Sequence, residues 1–239
     1  MSSDAGSLYL LPNTLGDTAA EAVIPAAGIH RARSLGYFIA EDPKSARAFL
    51  KRIGFPRALQ DIRVERLDHN TRSGDIAPLL EPVLAGRDAG LLSEAGLPAV
   101  ADPGAALVRL AHDKGVRVVP LSGPSSLILA LAASGLEGQR FAFHGYLPVA
   151  RTELIAALKE LERQSRSLGQ TQIFIETPYR NDATLAAMLR VLSDDTLVCV
   201  AVDLTLDSEI VKTRPVAQWR TEIPQLKGRP AVFLLLSVR

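Results

Sequence analysis

Four stretches of this chain combine small, turn-forming and polar residues directly after apolar runs: "YLLPNTLGDT", "IAEDPKS", "LLSEAGLPAVADPG" and "VVPLSGPSS". The third, Leu91–Gly104, is longer than an ordinary connection and carries Ser93, Glu94 and Asp102 but no Lys or Arg. Glycine and other small residues let backbone amides and carbonyls come close to a ligand. In open α/β sheets, ligands sit beyond the carboxyl ends of the strands. Four such loops therefore point to a small-molecule site. Any one of them alone would serve equally as a βα turn.

Other chemistries are argued against by what the chain lacks. There is no G-x-G-x-x-G or G-x-x-x-x-G-K-[ST] phosphate cradle and no G-x-S-x-G nucleophile elbow. A single cysteine, Cys199, lies in an apolar run and reads as a core residue, and four scattered histidines show no ligand spacing, so no metal is expected. The net charge of +1 is no bulk attractor for polyanions, and 47% hydrophobic with 22% charged residues is ordinary for a soluble globular chain of 239 residues. "LILALAA" (Leu127–Ala133) falls far short of the roughly 20 residues of a membrane span, and "MSSDAGSLYLLPN" lacks the basic start of a secretory signal. A cytoplasmic location is expected.

The elements that must position these loops alternate in period. Strands are expected at Leu8–Leu11, Tyr37–Ala40, Gly90–Ser93, Val116–Pro120, Phe141–His144, Ile173–Glu176, Leu197–Val202 and Ala231–Leu236, several of them continuously apolar as in doubly covered strands. Between them lie amphipathic patterns. "KSARAFLKRIG" puts Ala46, Phe49, Leu50 and Ile53 on one face, and "RTELIAALKELERQ" does the same with Leu154, Ile155, Leu158 and Leu161. "NDATLAAMLRVL" opens on a candidate Asn or Asp cap. The alternation predicts an α/β fold. Pro120, Gly123 and Pro124 punctuate the chain and suggest α/β domains at 1–120 and 121–239.

The loops, taken in order, resemble the tetrapyrrole methylase superfamily of S-adenosyl-L-methionine (SAM)-dependent methyltransferases. They are most similar to the branch that methylates a cytidine 2′-hydroxyl in small-subunit ribosomal RNA. "LPNTLGD" stands where that branch has Thr-Pro-x-Gly-Asn, "EDPK" for Glu-Asp-Thr-Arg, and "SEAGLPAVADPG" for Ser-Asp-Ala-Gly-Thr-Pro-x-x-Ser-Asp-Pro-Gly. "LSGPSSLILALAASGL" matches its Pro-Gly-Pro-Ser-Ala loop and Ala-Ser-Gly-Leu, "FHGYLP" its Phe-x-Gly-Phe-Leu-Pro, and "IETPYR" its Glu-Ser-Pro-His-Arg. The matches run from about Leu8 to Leu236.

The resemblance implies two α/β domains with SAM in a cleft between them, and a homodimer. It implies that Leu11 and Pro12 line the cleft floor, that Ser93 and Glu94 meet the ribose or amino-acid part, and that Leu97 offers backbone contacts. Ser125 and Ser126 would serve the carboxylate or ribose, and Thr177 and Pro230 would approach the adenosine. Carboxylates suit ribose hydroxyls and the ammonium, both donors. Glu41, Asp42 and Asp102 are candidate bases for a weakly nucleophilic hydroxyl; helix capping or an ion pair is the alternative for each and the expected role for Asp102. Lys44 and Arg180 could hold a phosphate or oxyanion, or be solvated surface charges.

The departures are Glu94 for Asp, Asp17 for Asn, Pro43 and Lys44 for Thr-Arg, and Tyr179 for His, and three of them fall at expected substrate contacts. They suggest a paralogous branch with its own acceptor. From Arg31 to Arg66, nine Lys/Arg face four acids, a local net of +5, which suits RNA phosphates or the outer faces of helices. The expected partner is RNA or a ribosomal subunit. The alternatives are a tetrapyrrole or other small-molecule methyltransferase, and a SAM- or RNA-binding protein without catalysis.

Overall fold

A computed structural model describes residues 5–237. The chain divides into two compact units, the first ending at Ser125 and the second beginning at Ser126. The first unit runs β1 (Ser7–Leu11), α1 (Ala20–Val23), α2 (Ala26–Ser34), β2 (Tyr37–Ala40), α3 (Pro43–Arg52), β3 (Arg63–Arg66), α4 (Ser73–Leu84), β4 (Ala89–Leu92), α5 (Ala105–Asp113) and β5 (Arg117–Pro120). Its sheet has the order β3-β2-β4-β1-β5, and every pairing is parallel.

Helices cover both faces of this sheet. Tyr9, Leu11, Phe38 and Leu92 point to one face and pack with Ile29 of α2 and Phe49 and Leu50 of α3. Leu8, Tyr37, Ile39 and Leu91 point to the other and pack with Leu80 and Val83 of α4 and Leu107 of α5. The alternation within each strand assigns the faces, and coverage on both sides explains why β2 and β4 are wholly buried. The expected apolar face of α3 is as read, with Ala46, Phe49, Leu50 and Ile53 at 3% exposure or less.

The second unit contains α6 (Ser126–Ser134), β6 (Phe141–Tyr146), α7 (Arg151–Leu168), β7 (Thr171–Ile175), α8 (Asn181–Val191), β8 (Leu197–Val202), β9 (Ile210–Pro215), α9 (Val216–Trp219) and β10 (Ala231–Leu236). Its sheet, β6-β7-β10-β8-β9, is mixed: β6 and β7 are parallel, while β10 runs antiparallel to both neighbours. The core gathers Leu154, Leu158 and Leu161 of α7, Phe174, Phe233 and Trp219. Phe174 and Phe233 stack across the β7–β10 pair with centroids 5.5 Å apart.

Two strands appear where none was expected. β3 ("RVER") and β9 ("IVKTRP") are sheet edges with no fully buried residue, so neither carries an apolar signature, and their charges suit exposed edges. The cap expected of Asn181 or Asp182 differs as well. Arg180 occupies the N-cap position without a side-chain bond. The Asn181 amide instead donates to the Arg229 carbonyl (2.7 Å), and the Asp182 carboxylate accepts from the Leu226 amide (2.6 Å). Tertiary bonds have taken the side chains that local sequence would assign to capping.

Gly90, in the middle of β4, is required by packing. A Cβ there would lie 2.5 Å from the Leu11 Cδ1 and 3.0 Å from the Phe38 Cδ1. Gly90→Ala is expected to cost about 1–3 kcal/mol through overpacking, read as a lowered denaturation midpoint at unchanged slope.

Candidate functional site

The carboxyl ends of β2 and β4 are neighbours, and their continuations diverge. β2 leads through α3 to the sheet edge at β3. β4 leads through α5, on the opposite face, over β1 to β5. A crevice opens where adjacent strands send their chains apart, and the loops Glu41–Asp42 and Ser93–Gly104 flank it.

The loop after β1 is sewn to the loop after β4 by Asn13, which is buried. Its amide nitrogen donates to the carbonyls of Ser93 (3.2 Å) and Glu94 (2.9 Å). Its amide oxygen accepts from the Thr14 N–H (2.8 Å), and its own N–H donates to the Gly96 carbonyl (2.8 Å). On the other side, the loop after β5 lies against Pro12. A Cβ on Gly123 would come within 2.1 Å of the Pro12 Cβ, so only glycine permits that approach. Pro12, Ser93, Glu94, Leu97 and Ser125 thus belong to three adjoining loops at one end of the sheet, where Leu11 is the last residue of β1. Ser126 opens α6 of the second unit.

The Leu91–Gly104 loop holds left-handed backbone at two residues other than glycine, Ala99 (φ 65°) and Ala101 (φ 64°). Each costs roughly 1–2 kcal/mol, and such strain gathers at binding sites.

Three carboxylates, Glu41, Glu94 and Asp102, lie near enough here to influence one another's charge. Burial, then the charges of Asp102 and Glu94, push the Glu41 carboxyl above its ordinary range. Asp102 is raised too, first by burial, with Glu94 adding to it and a hydrogen bond from Ser93 opposing it. The Ser93 hydroxyl also reaches the Ala95 carbonyl at 3.1 Å; its one proton serves one acceptor at a time. Asp102 is not the expected cap, because α5 is capped at Gly104 without a side-chain bond. Among the described residues, no three acids, histidines or cysteines are grouped as metal ligands.

Asp42 has a different task. Its Oδ2 accepts from the Ser45 N–H (2.9 Å) and the Ser45 hydroxyl (2.8 Å), which caps α3 and lowers its pKa.

A cavity of about 230 Å³ adjoins Glu94. The loop Asn13–Gly16 forms one wall, Ser45, Ala48, Phe49 and Arg52 of α3 another, and Glu94 and Ala95 complete it. The Arg52 guanidinium is held by the Thr14 hydroxyl (2.7 Å), the Gly16 carbonyl (3.3 Å) and the Asp17 carboxylate (3.1 Å). Sequence reasoning gave Asn13, Thr14 and Arg52 no individual role. "PN" before a turn was the available signal for Asn13, since Asn bonds backbone locally.

Most of the basic segment stitches the fold. Arg33 donates to the Ile53 carbonyl and Arg57 to the Leu35 carbonyl. Arg63 pairs with Glu65 and Arg66 with Asp68, while Arg31 lies over the Tyr9 ring. Lys44 and Lys51 are exposed on α3.

In the second unit, Thr177, Arg180 and Pro230 share one end of the sheet, where β7 leaves and β10 enters. Gly228 N–H donates to the Pro178 carbonyl (2.9 Å), and Asp203 N–H to the Pro230 carbonyl (3.0 Å). Arg180 is no solvated charge. It pairs at 2.9 Å with Glu176, whose side chain is 2% exposed, and reaches the Pro148 carbonyl at 3.3 Å. Nearby, Asp203 (φ 49°) and Thr205 (φ 72°) are left-handed, and Asn181 Oδ1 and Thr205 Oγ1 are buried without a hydrogen-bond partner. Strain and unmet polar atoms gather at this edge.

Comparison with known proteins follows the same lines. Residues 22–219 match the family described as Tetrapyrrole (Corrin/Porphyrin) Methylases. The chain is 32% identical over 233 residues to the Ribosomal RNA small subunit methyltransferase I of Escherichia coli O157:H7, covering 98% of this chain and 77% of that protein. It is 37% identical over 171 residues to the protein of that name in Vibrio cholerae serotype O1, covering 72% of this chain and 58% of that one. The crystal structure of the methyltransferase CobJ superposes with a TM-score of 0.64 at 16% identity, covering 98% of this chain and 95% of the other.

Removing one partner of a buried ion pair strands the other charge. Arg180→Ala is therefore expected to destabilise the protein by roughly 3 kcal/mol, and adding Glu176→Gln to recover much of that loss in chemical denaturation. Equal instability of the single and double variants would contradict the pairing.

Proposed function

Because this chain belongs to the tetrapyrrole (corrin/porphyrin) methylase family of methyltransferases, we propose that it carries a methyl group from SAM to RNA of the small ribosomal subunit. The observation that carries the proposal is the trio Glu41, Glu94 and Asp102 at the diverging ends of β2 and β4, beside loops closed over Pro12 by a glycine that admits no side chain.

The first unit's residues fit SAM. Its ammonium and sulfonium are cations, and carboxylates that repel one another welcome positive charge. Its ribose hydroxyls and ammonium are donors, and ionised carboxylates are acceptors only. The loop backbone at Leu97 and the hydroxyls of Ser93 and Ser125 supply further polar contacts. In the second unit, Thr177 and Pro230 lie on loops tied together by backbone bonds, as a surface for a flat ring requires. When bound, SAM supplies a methyl carbon already activated by positive charge.

The chain's own work is then alignment and proton removal, and alignment supplies much of the rate. Glu41 is the group we assign to receive the acceptor's hydroxyl proton. Its raised pKa makes it a stronger base than an ordinary carboxylate, whereas Asp42 is committed to its cap and held low. Arg180, fixed by Glu176, is an acceptor-side cation.

The names of the relatives support an RNA acceptor. We also read the chain as a homodimer: α6 is apolar around most of its circumference and leaves Ile128 and Leu129 exposed at 52% and 37%. No helix among the described residues is long and apolar enough to cross a membrane.

Calorimetric titration should show binding of SAM and S-adenosylhomocysteine but not NAD, with Glu94→Ala weakening SAM at unchanged thermal stability. Labelled methyl should then pass to small ribosomal subunits. Absence of adenosyl binding would sink the proposal.

The pH dependence follows from Glu41. Raised in the folded protein, it is protonated and inactive as a base below its shifted pKa, so kcat should climb with pH above the usual carboxylate range. Glu41→Gln should lower kcat by about 10²–10⁴ and remove that limb. A limb that survives the substitution would assign the proton elsewhere.

A further inference from the structure

The cavity between the Asn13–Gly16 loop and α3 is distinct from the residues assigned to the methyl donor. Of those, only Glu94 touches it; Pro12, Ser93, Leu97 and Ser125 do not line it. At about 230 Å³ it is smaller than pockets for drug-sized ligands, which begin near about 300 Å³. A whole SAM molecule does not suit it, but a single flat heterocycle does.

Its chemistry is balanced. One cation, Arg52, and one carboxylate, Glu94, line it with the hydroxyls of Thr14 and Ser45, whose protons go to the Gly16 carbonyl and the Asp42 carboxylate so that they serve only as acceptors, against apolar surface from Leu15, Ala48 and Phe49. Equal and opposite charges disfavour a phosphate inside. Adjacent donors and acceptors over an apolar wall suit a neutral ring with an amide-like edge. Arg52 is pre-set in place by Thr14, Gly16 and Asp17.

The rim adds a second feature. Lys44, Ala48 and Arg52 follow at intervals of four, and Lys51 lies one turn beyond Ala48, so the helix face that borders the cavity also carries two exposed lysines. These lysines are cations of the basic segment that the fold leaves exposed. Phosphates flanking a base in the cavity would meet them.

We propose that this cavity is an acceptor subsite that receives one nucleobase of the RNA, with Lys44 and Lys51 on the neighbouring phosphates. The inference rests on the RNA-acceptor reading above.

Ala48 is exposed on α3, so Ala48→Phe fills the cavity without entering the core. The test compares wild type, Ala48→Phe and Lys44→Ala/Lys51→Ala in methyl transfer to in vitro transcribed small-subunit rRNA and to small ribosomal subunits. SAM affinity is measured alongside by calorimetry, and folding by thermal denaturation. Ala48→Phe should raise the KM for RNA at least tenfold while kcat and the SAM Kd change less than twofold. The double lysine variant should weaken RNA binding and flatten its log–log salt dependence by about 1.4, from about 0.7 per lost phosphate contact. If wild type methylates RNA and Ala48→Phe leaves its KM unchanged, the subsite is wrong while the RNA reading stands. An equal loss of SAM binding in Ala48→Phe would give the cavity to the donor and overturn the proposal. If wild type methylates neither RNA nor subunits, the acceptor reading fails and the subsite falls with it.

Discussion

One buried amide organises the first unit's functional edge. Asn13 sits where β1 ends, and its side chain bonds the carbonyls of Ser93 and Glu94 while its oxygen takes the Thr14 N–H. Those groups would otherwise be unpaired within a low-dielectric crevice, where an unmet polar group costs about 1–3 kcal/mol. By holding two loops at once, Asn13 sets the height of Glu94 above the sheet. It thereby divides the edge into a side near Pro12 and a cavity side near Arg52. The left-handed alanines at 99 and 101 are tolerable because the loop is anchored at its start by this amide and the adjoining Asn13–Gly96 bridge.

The sheet order makes such an edge possible. Strands β2 and β4 are neighbours, yet their chains leave toward opposite faces. The two chains leave the ends of these strands in different directions, so the Glu41–Asp42 and Ser93–Gly104 loops flank the divergence. Close packing below is the condition. Gly90 lets Leu11, Phe38 and Leu35 crowd the centre of the sheet, which sets the base from which both loops rise. The raised pKa of Glu41 is a consequence of this arrangement: a carboxyl drawn partly out of water and facing two others.

Sequence alone carried the buried strands and the amphipathic helices, because burial on one or two faces imprints a period. It did not carry β3 and β9, whose places are fixed by hydrogen bonds to a neighbouring strand rather than by apolar residues. Family likeness singled out the loops after β1, β4 and β5. It left Asn13 and Arg52 unread, since an amide that bonds two carbonyls some 80 residues away and a guanidinium that bonds Thr14 leave no mark on local pattern. The ion pair of Arg180 went unread for the same reason; its partner Glu176 is buried just after β7, four residues earlier, and i,i+4 spacing across a strand–helix junction does not announce contact.

The departures from the family's motifs take on physical meaning in this frame. Pro43 lacks an N–H, yet it stands at the first position of α3, where that hydrogen would have no partner within the helix and the ring's fixed φ favours the turn. The substitution costs the helix nothing, and Asp42 supplies the cap ahead of it. Asp17, in place of the family's Asn, adds a charge that pairs with Arg52. That pairing is exposed and contributes little to stability, but it draws the guanidinium toward the loop wall. Glu94, longer than the family's Asp, keeps its backbone carbonyl in the Asn13 clamp and lets its carboxylate extend further from the sheet. Each change is absorbed by the scaffold, so what varies is the side chains that the loops present while the frame of the loops is kept.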